Sequence, residues 1–252
     1  MDDTMDFGSL SAEDAPMIGS PAEVPTEPRR YLADLIGLGS ALTLCLFVLI
    51  ANVTNHYALS RLDILTFYIP WYEHLGDRLR HFDIPGWLPF TMSGVPFAGD
   101  PQSGWGYLPA MISFAIAPSN TGYVIYLVFH MVLACAGAYL FARIIGMGVA
   151  GAVMVAIAFS MGNLNERFAC CTIHMQVAVW MPAILLCIEL GLRATTTRRR
   201  LLWYVLAGIG LGQMMAGWVG QGAYYAGLGV GAYALFRLVW HHQGRWLWRR
   251  QL

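Results

Sequence analysis

The sequence predicts an all-α protein, a polytopic membrane helix bundle of about six transmembrane helices, with a long first outer loop that contains interfacial amphipathic helices. Three observations carry this. Hydrophobic residues make up 57% of the chain and charged ones 12%, where a soluble domain carries about 25% charged residues. The charges are also widely spaced: uncharged windows cover 35–60, 101–142, 144–165, 168–188 and 201–236, and a span needs about 20 residues free of ionised groups to cross roughly 30 Å of hydrocarbon. The 101–142 and 201–236 windows are too long for one helix each, and the second contains the breaker WVGQG at 218–222, so it divides into two helices and a tight turn.

Taken in order, residues 1–28 hold seven acids, no base and four prolines, the composition of a solvated, disordered acidic tail. They do not form a secretory signal, which would begin basic and continue into a short apolar stretch. The remainder, 29–252, is one transmembrane module with spans expected at 31–53, 121–143, 148–163, 172–190, 201–218 and 223–240. An even number of spans returns the chain to its starting side. Arginine sets the orientation, because the chain has no lysine and basic residues are retained on the cytoplasmic side. With the N-terminus inside, eleven of the fifteen arginines are inside and only Arg61, Arg78, Arg80 and Arg167 are outside. Both termini are therefore expected in the cytoplasm.

Several function classes fall away on composition. The net charge is zero, and no basic surface is interleaved with aromatics, so nucleic acid is not an expected partner. Cys45, Cys135 and Cys187 lie inside spans, where free cysteine behaves as a small hydrophobe. Cys170 and Cys171 are adjacent and poorly placed to bridge. Transporters reveal themselves by ionisable groups at mid-membrane, but Asp34 and Glu189 fall near cytoplasmic ends, where a side chain can reach the headgroups. His130 and His174 are the deeper titratable groups, and each is expected to be hydrogen-bonded to a neighbour. Gly208 with Gly212, and Gly227 with Gly231, stand four apart, the spacing that lets helix backbones approach closely in lipid. These glycine-rich helices at 201–240 are also the expected contact with any membrane protein partner.

Residues 54–120, between the first and second spans, far exceed what a helical hairpin needs, and long structured loops usually carry function. Asp63, Glu73, Asp77, Asp83 and Asp100 are here, five of the eight acids outside the tail. So are Arg61, Arg78, Arg80, His56, His74 and His81. In ILTFYIPWYEHLGDRLRH at 64–81, Leu65, Tyr68, Tyr72, Leu75 and Leu79 make one apolar helical face, opposite His74, Asp77, Arg78 and His81. Such a helix would lie in the membrane interface, and Pro70 should bend or divide it. The Pro- and Gly-rich segments that follow place Trp87, Trp105 and Tyr107 at the interface, where such aromatics prefer to sit. Residues 108–117 are apolar but too short to span, so they are expected to dip into the outer leaflet. An acidic, aromatic platform beside lipid suits a reaction with one membrane-bound substrate. Asp63 could act there as general base on a hydroxyl or amine, and Arg61, Arg78 or Arg80 could hold the phosphate of a lipid carrier. The alternative for Asp63 is an N-cap, satisfying backbone N–H groups at the start of the helix.

The order of these residues is similar to that in the bacterial YfhO-like family of multispanning proteins. Asp63 and Tyr68 as D-x4-Y, Pro70, a helix ending in LR, then IPGWLPFTMSGVPFAGDPQSGWGYLP carry the resemblance. His174, Trp180 and Pro182 as H-x5-W-x-P, and GWVGQGAYY at 217–225, extend it. That family belongs with the GT-C glycosyltransferases, which use lipid-phosphate-linked sugars on the outer membrane face. The resemblance covers about residues 30–240 and corresponds to the front part of a longer family pattern, as expected of a fragment or a short relative. It implies a GT-C-like fold in which Asp63 is the catalytic carboxylate. Asp100 would be a second polar contributor, and Tyr68, His74 and Gln102 would line the substrate site. Some GT-C enzymes use a divalent metal at this carboxylate, and the sequence assigns none. The expected function is sugar transfer from a polyprenyl-phosphate carrier to an extracytoplasmic acceptor. The alternative is a noncatalytic subunit of a larger membrane complex that retains the fold.

Overall fold

The computed structural model describes residues 27–55, 62–117, 119–168 and 172–242. The acidic tail up to residue 26, Arg61, His56, Cys170 and Cys171 lie outside them. Long helices occupy each of the six expected positions: α1 (Glu27–Thr54), α4 (Ser119–Ile144), α5 (Val149–Phe168), α6 and α7 in series (Thr172–Ala178, Trp180–Arg193), α8 (Thr197–Gly217) and α9 (Gln221–His242). The loop between the first two carries α2 (Ile69–Arg80), the two-stranded hairpin β1 (Trp87–Leu88) and β2 (Val95–Pro96), and α3 (Leu108–Ile116). Among the described residues, Tyr31–Thr54, Asn120–Ile144 and Thr172–Arg193 are long and apolar enough to cross a membrane, and Val149–Gly162 is a shorter apolar helix. The chain is thus a helical membrane protein.

α4 is the hub, packed against α1, α2, α3, α5, α6 and α7. Its contact with α1 and α5 is made of small side chains: Ala41, Cys45, Ala134, Cys135, Ala142, Ala152 and Ala156 are all buried. Without a hydrophobic driving force between helices in lipid, such residues stabilise the bundle by letting backbones come close. Cys45 and Cys135 are free thiols within this contact and Cys187 is a half-buried one, in keeping with their expected packing role.

Two prolines shape the helices in different ways. Pro182 has no N–H to offer the carbonyl of Ala178, four residues earlier, and its ring crowds that carbonyl. α6 ends at Ala178 for this reason, and the third apolar stretch is divided there into α6 and α7. Of the two outcomes expected at Pro70, bending or dividing the loop helix, division does not occur. A π-helical turn at Ile64–Tyr68 precedes α2, and Tyr68 and Ile69 keep α-helical dihedrals across the junction. The widened turn takes up the bond that Pro70 cannot make.

The glycine pairs sit differently from expectation. A Cβ on Gly208, Gly212 or Gly231 would meet nothing within 4 Å, and one on Gly227 would barely touch Met215. The close approaches fall on other glycines: Gly210 against Ile184, Gly217 against Gln176, and Gly137 against the Ala183 backbone. The four-residue glycine spacing marks a smooth helix face, and in this chain that face points away from its own bundle.

Asp34 and Glu189 are both paired with arginine and tyrosine. Arg143 donates to Asp34 through Nε (2.6 Å) and Nη2 (3.2 Å), and the Tyr139 hydroxyl adds a third bond at 2.9 Å. Glu189 is fully buried and accepts from Tyr233 Oη at 2.6 Å, from Arg193 Nε at 3.3 Å and from Arg237 Nη2 at 2.6 Å. A carboxylate in apolar surroundings is tolerated only when paired. These two clusters lock α1 to α4 and α7 to α9.

Candidate functional site

Asp63 lies in the first described turn of the loop helix, nine residues beyond the end of α1 at Thr54. Its side chain is exposed and makes no capping bond, so the N-cap alternative is not what the structure shows. From Asp63 the chain runs as one helix to Arg80. At about 1.5 Å per residue, Arg78 and Arg80 therefore stand about 20 Å away, at the other end. Both are engaged there: Arg78 pairs with Asp83, while Arg80 donates to the Phe114 carbonyl at 2.7 Å and lies 3.6 Å from Asp77. Arg80 fastens the end of α2 to α3, Arg78 closes onto the turn just after α2, and neither converges on Asp63.

Asp100 likewise has a local task, accepting from the Gln102 backbone N–H at 2.7 Å in a tight turn. Tyr68 and Gln102 do come together, the Tyr68 hydroxyl donating to Gln102 Oε1 at 3.4 Å. Among the described residues no three of His, Cys, Asp and Glu gather to hold a metal ion. His74 faces the rings of Phe90 and Phe97. Desolvation holds its imidazole below the ordinary range, with Arg78 adding to the effect while a bond to the Trp87 carbonyl and the Asp77 charge oppose it. The folded loop takes this proton less readily than the unfolded chain, so stability declines as pH falls from about 6.5. Between about pH 7.5 and about pH 5.5, thermal unfolding of the wild type should lose more stability than that of His74→Phe.

The apolar face of α2 turns into the protein and away from lipid. Tyr68, Trp71, Tyr72 and Leu75 are buried, with Tyr72 against Phe114 of α3 and Tyr126 of α4. Tyr107, expected at the interface, is fully buried as well. It sits at the start of α3 with its hydroxyl 2.6 Å from His130 Nε2. His130 lies eleven residues into α4, about 16 Å along its axis. α3 therefore begins deep in the bundle and climbs back toward the start of α4. Pro109, Ala110, Ser113 and Phe114 of α3 are packed inward, and Leu108, Ile112 and Ile116 are exposed outward.

The first backbone groups of α3 find partners on α8. The Leu108 N–H donates to Gln213 Oε1 at 2.8 Å, and Gln213 Nε2 reaches the Gly106 carbonyl at 3.4 Å. Around this end lies a polar network that the sequence did not announce. His130 Nδ1 is 2.6 Å from the Tyr126 carbonyl, which can only accept, so Nδ1 carries the proton. Nε2 is then the acceptor for Tyr107, whose oxygen in turn accepts from Trp180 Nε1–H at 3.1 Å. Gln176 Nε2 donates to Tyr72, and Tyr123 and Thr172 share a bond at 3.0 Å. Burial pushes the phenols of Tyr72 and Tyr107 up, and both remain neutral. His130 is hydrogen-bonded to its neighbours, as expected of it.

The fold and this site define a class: a mostly helical membrane protein with a loop segment packed against the bundle. Comparison of the chain with family models, with curated proteins and with solved structures finds no match.

Proposed function

We propose that the chain is a GT-C-type glycosyltransferase module, moving a sugar from a polyprenyl-phosphate carrier to an extracytoplasmic acceptor. The supporting observation is Asp63, an exposed carboxylate with no capping duty at the head of the loop helix. It takes the proton from an acceptor hydroxyl or amine. The acceptor atom then bonds the sugar's anomeric carbon as the bond to the phosphate oxygen breaks, leaving its electron pair on the phosphate. Arg61, two positions before Asp63 in sequence, is the arginine assigned to that phosphate. The separation along the helix leaves Arg78 and Arg80 out of the same donor's site. In this reading both termini are cytoplasmic, and the basic residues of the two ion clusters, Arg143, Arg193 and Arg237, lie on the cytoplasmic side.

The test uses membranes holding the full chain, a panel of radiolabelled polyprenyl-phosphate sugars, and transfer to extracytoplasmic polymer as the readout. Asp63→Asn is expected to lower transfer by about 100-fold or more, while Arg78→Gln leaves it within about twofold. Unchanged turnover in Asp63→Asn removes Asp63 from the mechanism. A second reading, a noncatalytic subunit, is favoured by the outward faces of Gly208, Gly212 and Gly231. A chain that purifies alone as a monomer in mild detergent counts against it.

A further inference from the structure

We infer that the hairpin between α2 and α3 is a wedge that inserts into the apolar part of the lipid leaflet beside it. Within one short stretch, Phe82, Ile84, Trp87, Phe90 and Met92 are exposed, three of them almost entirely: Phe82 by 99%, Met92 by 88% and Phe90 by 84%. They are not core residues that failed to pack. The hairpin's inner side is already filled by Leu88 and Phe97, both buried, with Phe97 against Trp71 and His74 of α2 and its N–H bonded to the Gly86 carbonyl. The hairpin is thus apolar on both sides, one anchored to the protein and the other bare.

The backbone holds this display in place. Phe82, Met92 and Ser93 have φ of 54°, 50° and 66°, a region that residues other than glycine seldom occupy. Two of the three carry large apolar side chains pointed away from the protein. In water both the backbone and the exposure would be unfavourable, whereas insertion into hydrocarbon recovers the exposure term.

Lipid is the occupant because the patch is continuous with the point where the chain enters the bilayer. The Arg80 bond to the Phe114 carbonyl fastens the end of α2 to α3. That sets Phe82 close in sequence to one side of the bond and the exposed Ile116 to the other. α4, which carries an apolar crossing, begins three residues after Ile116. The charges next to the hairpin are also matched among themselves, Arg78 with Asp83 and Arg80 with Asp77. They leave an apolar contact, and no net charge to select a protein partner or an anionic headgroup. Trp87 at the base suits the headgroup boundary.

The experiment places an environment-sensitive fluorophore on Met92→Cys, and separately on Phe90→Cys, in the full chain reconstituted into phosphatidylcholine nanodiscs. The same preparation without the introduced cysteine serves as background. A label on Thr195→Cys, in the exposed turn between α7 and α8, gives the value for water. At positions 90 and 92, spin-labelled acyl chains should quench the fluorophore, and iodide should quench it at least about threefold less than at Thr195. Quenching by iodide equal to that at Thr195, with no effect of spin-labelled lipid, would overturn the proposal. That result would mark a water-facing surface for a protein partner.

Discussion

Glu189→Ala is expected to lower the stability of the bundle by about 3–5 kcal/mol, read as a large fall in the unfolding midpoint in detergent. The carboxylate is fully buried and gathers Tyr233, Arg193 and the buried Arg237. Deleting it strands a guanidinium among apolar helices. The cost comes from the charge left behind, so it should be largely relieved when that charge goes too. Glu189→Leu combined with Arg237→Leu should recover most of the loss, because an apolar pair of similar volume replaces an ion pair whose desolvation is expensive. Arg237→Leu alone should cost less than Glu189→Ala, since Tyr233 and Arg193 still serve the carboxylate. An unchanged midpoint for Glu189→Ala would mean that α9 is not held to α7 by this cluster.

The same cluster shows where sequence reasoning stops. The positions of six helices follow from where charges are absent, a one-dimensional property that survives folding. The pairing of Glu189 with Arg237 crosses 48 residues and leaves no periodic trace. Hydrophobic spacing in 64–81 correctly marks the apolar side of α2, but spacing is blind to what covers that side. Lipid and protein make equal demands on Tyr68, Tyr72 and Leu75, and α3 and α4 cover them. The glycines follow the same logic, because a four-residue repeat prescribes a smooth face and says nothing of which helix meets it. Gly210 and Gly217, the ones in close contact, fall outside the repeat.

At the candidate site, the residues alone left Asp63 open between general base and N-cap, and the resemblance supplied the catalytic role; the absent capping bond bears on the second. The separation of Asp63 from Arg78 and Arg80 could have been anticipated. Fifteen residues of helix set the distance once Pro70 is known not to break it. What hides that fact is the π-helical turn before Pro70, a local adjustment with no residue signature in ILTFY. The buried network around Tyr107 had one sequence cue, a histidine well inside an apolar helix. His130 needed a partner, but nothing in the loop singled out Tyr107 over Tyr68 or Tyr72.

Tyr107→Phe should destabilise the chain more than its single lost oxygen suggests. The hydroxyl donates to His130 Nε2 and accepts from Trp180 Nε1–H, so the change leaves one acceptor and one donor without a partner, each costing about 1–3 kcal/mol when buried. His130→Phe should be milder in one respect, because the freed hydroxyl can turn to the Gln176 carbonyl 3.5 Å away. The two changes remove the same bond, so they cannot add. In a double-mutant cycle, the combination of Tyr107→Phe with His130→Phe should fall short of the sum of the single losses by about 1 kcal/mol or more. A cycle that closes within about 0.5 kcal/mol would show that α3 is not pinned to α4 by this pair. The start of α3 would then depend on Gln213 of α8, and Gln213→Leu would be the change that loosens it most.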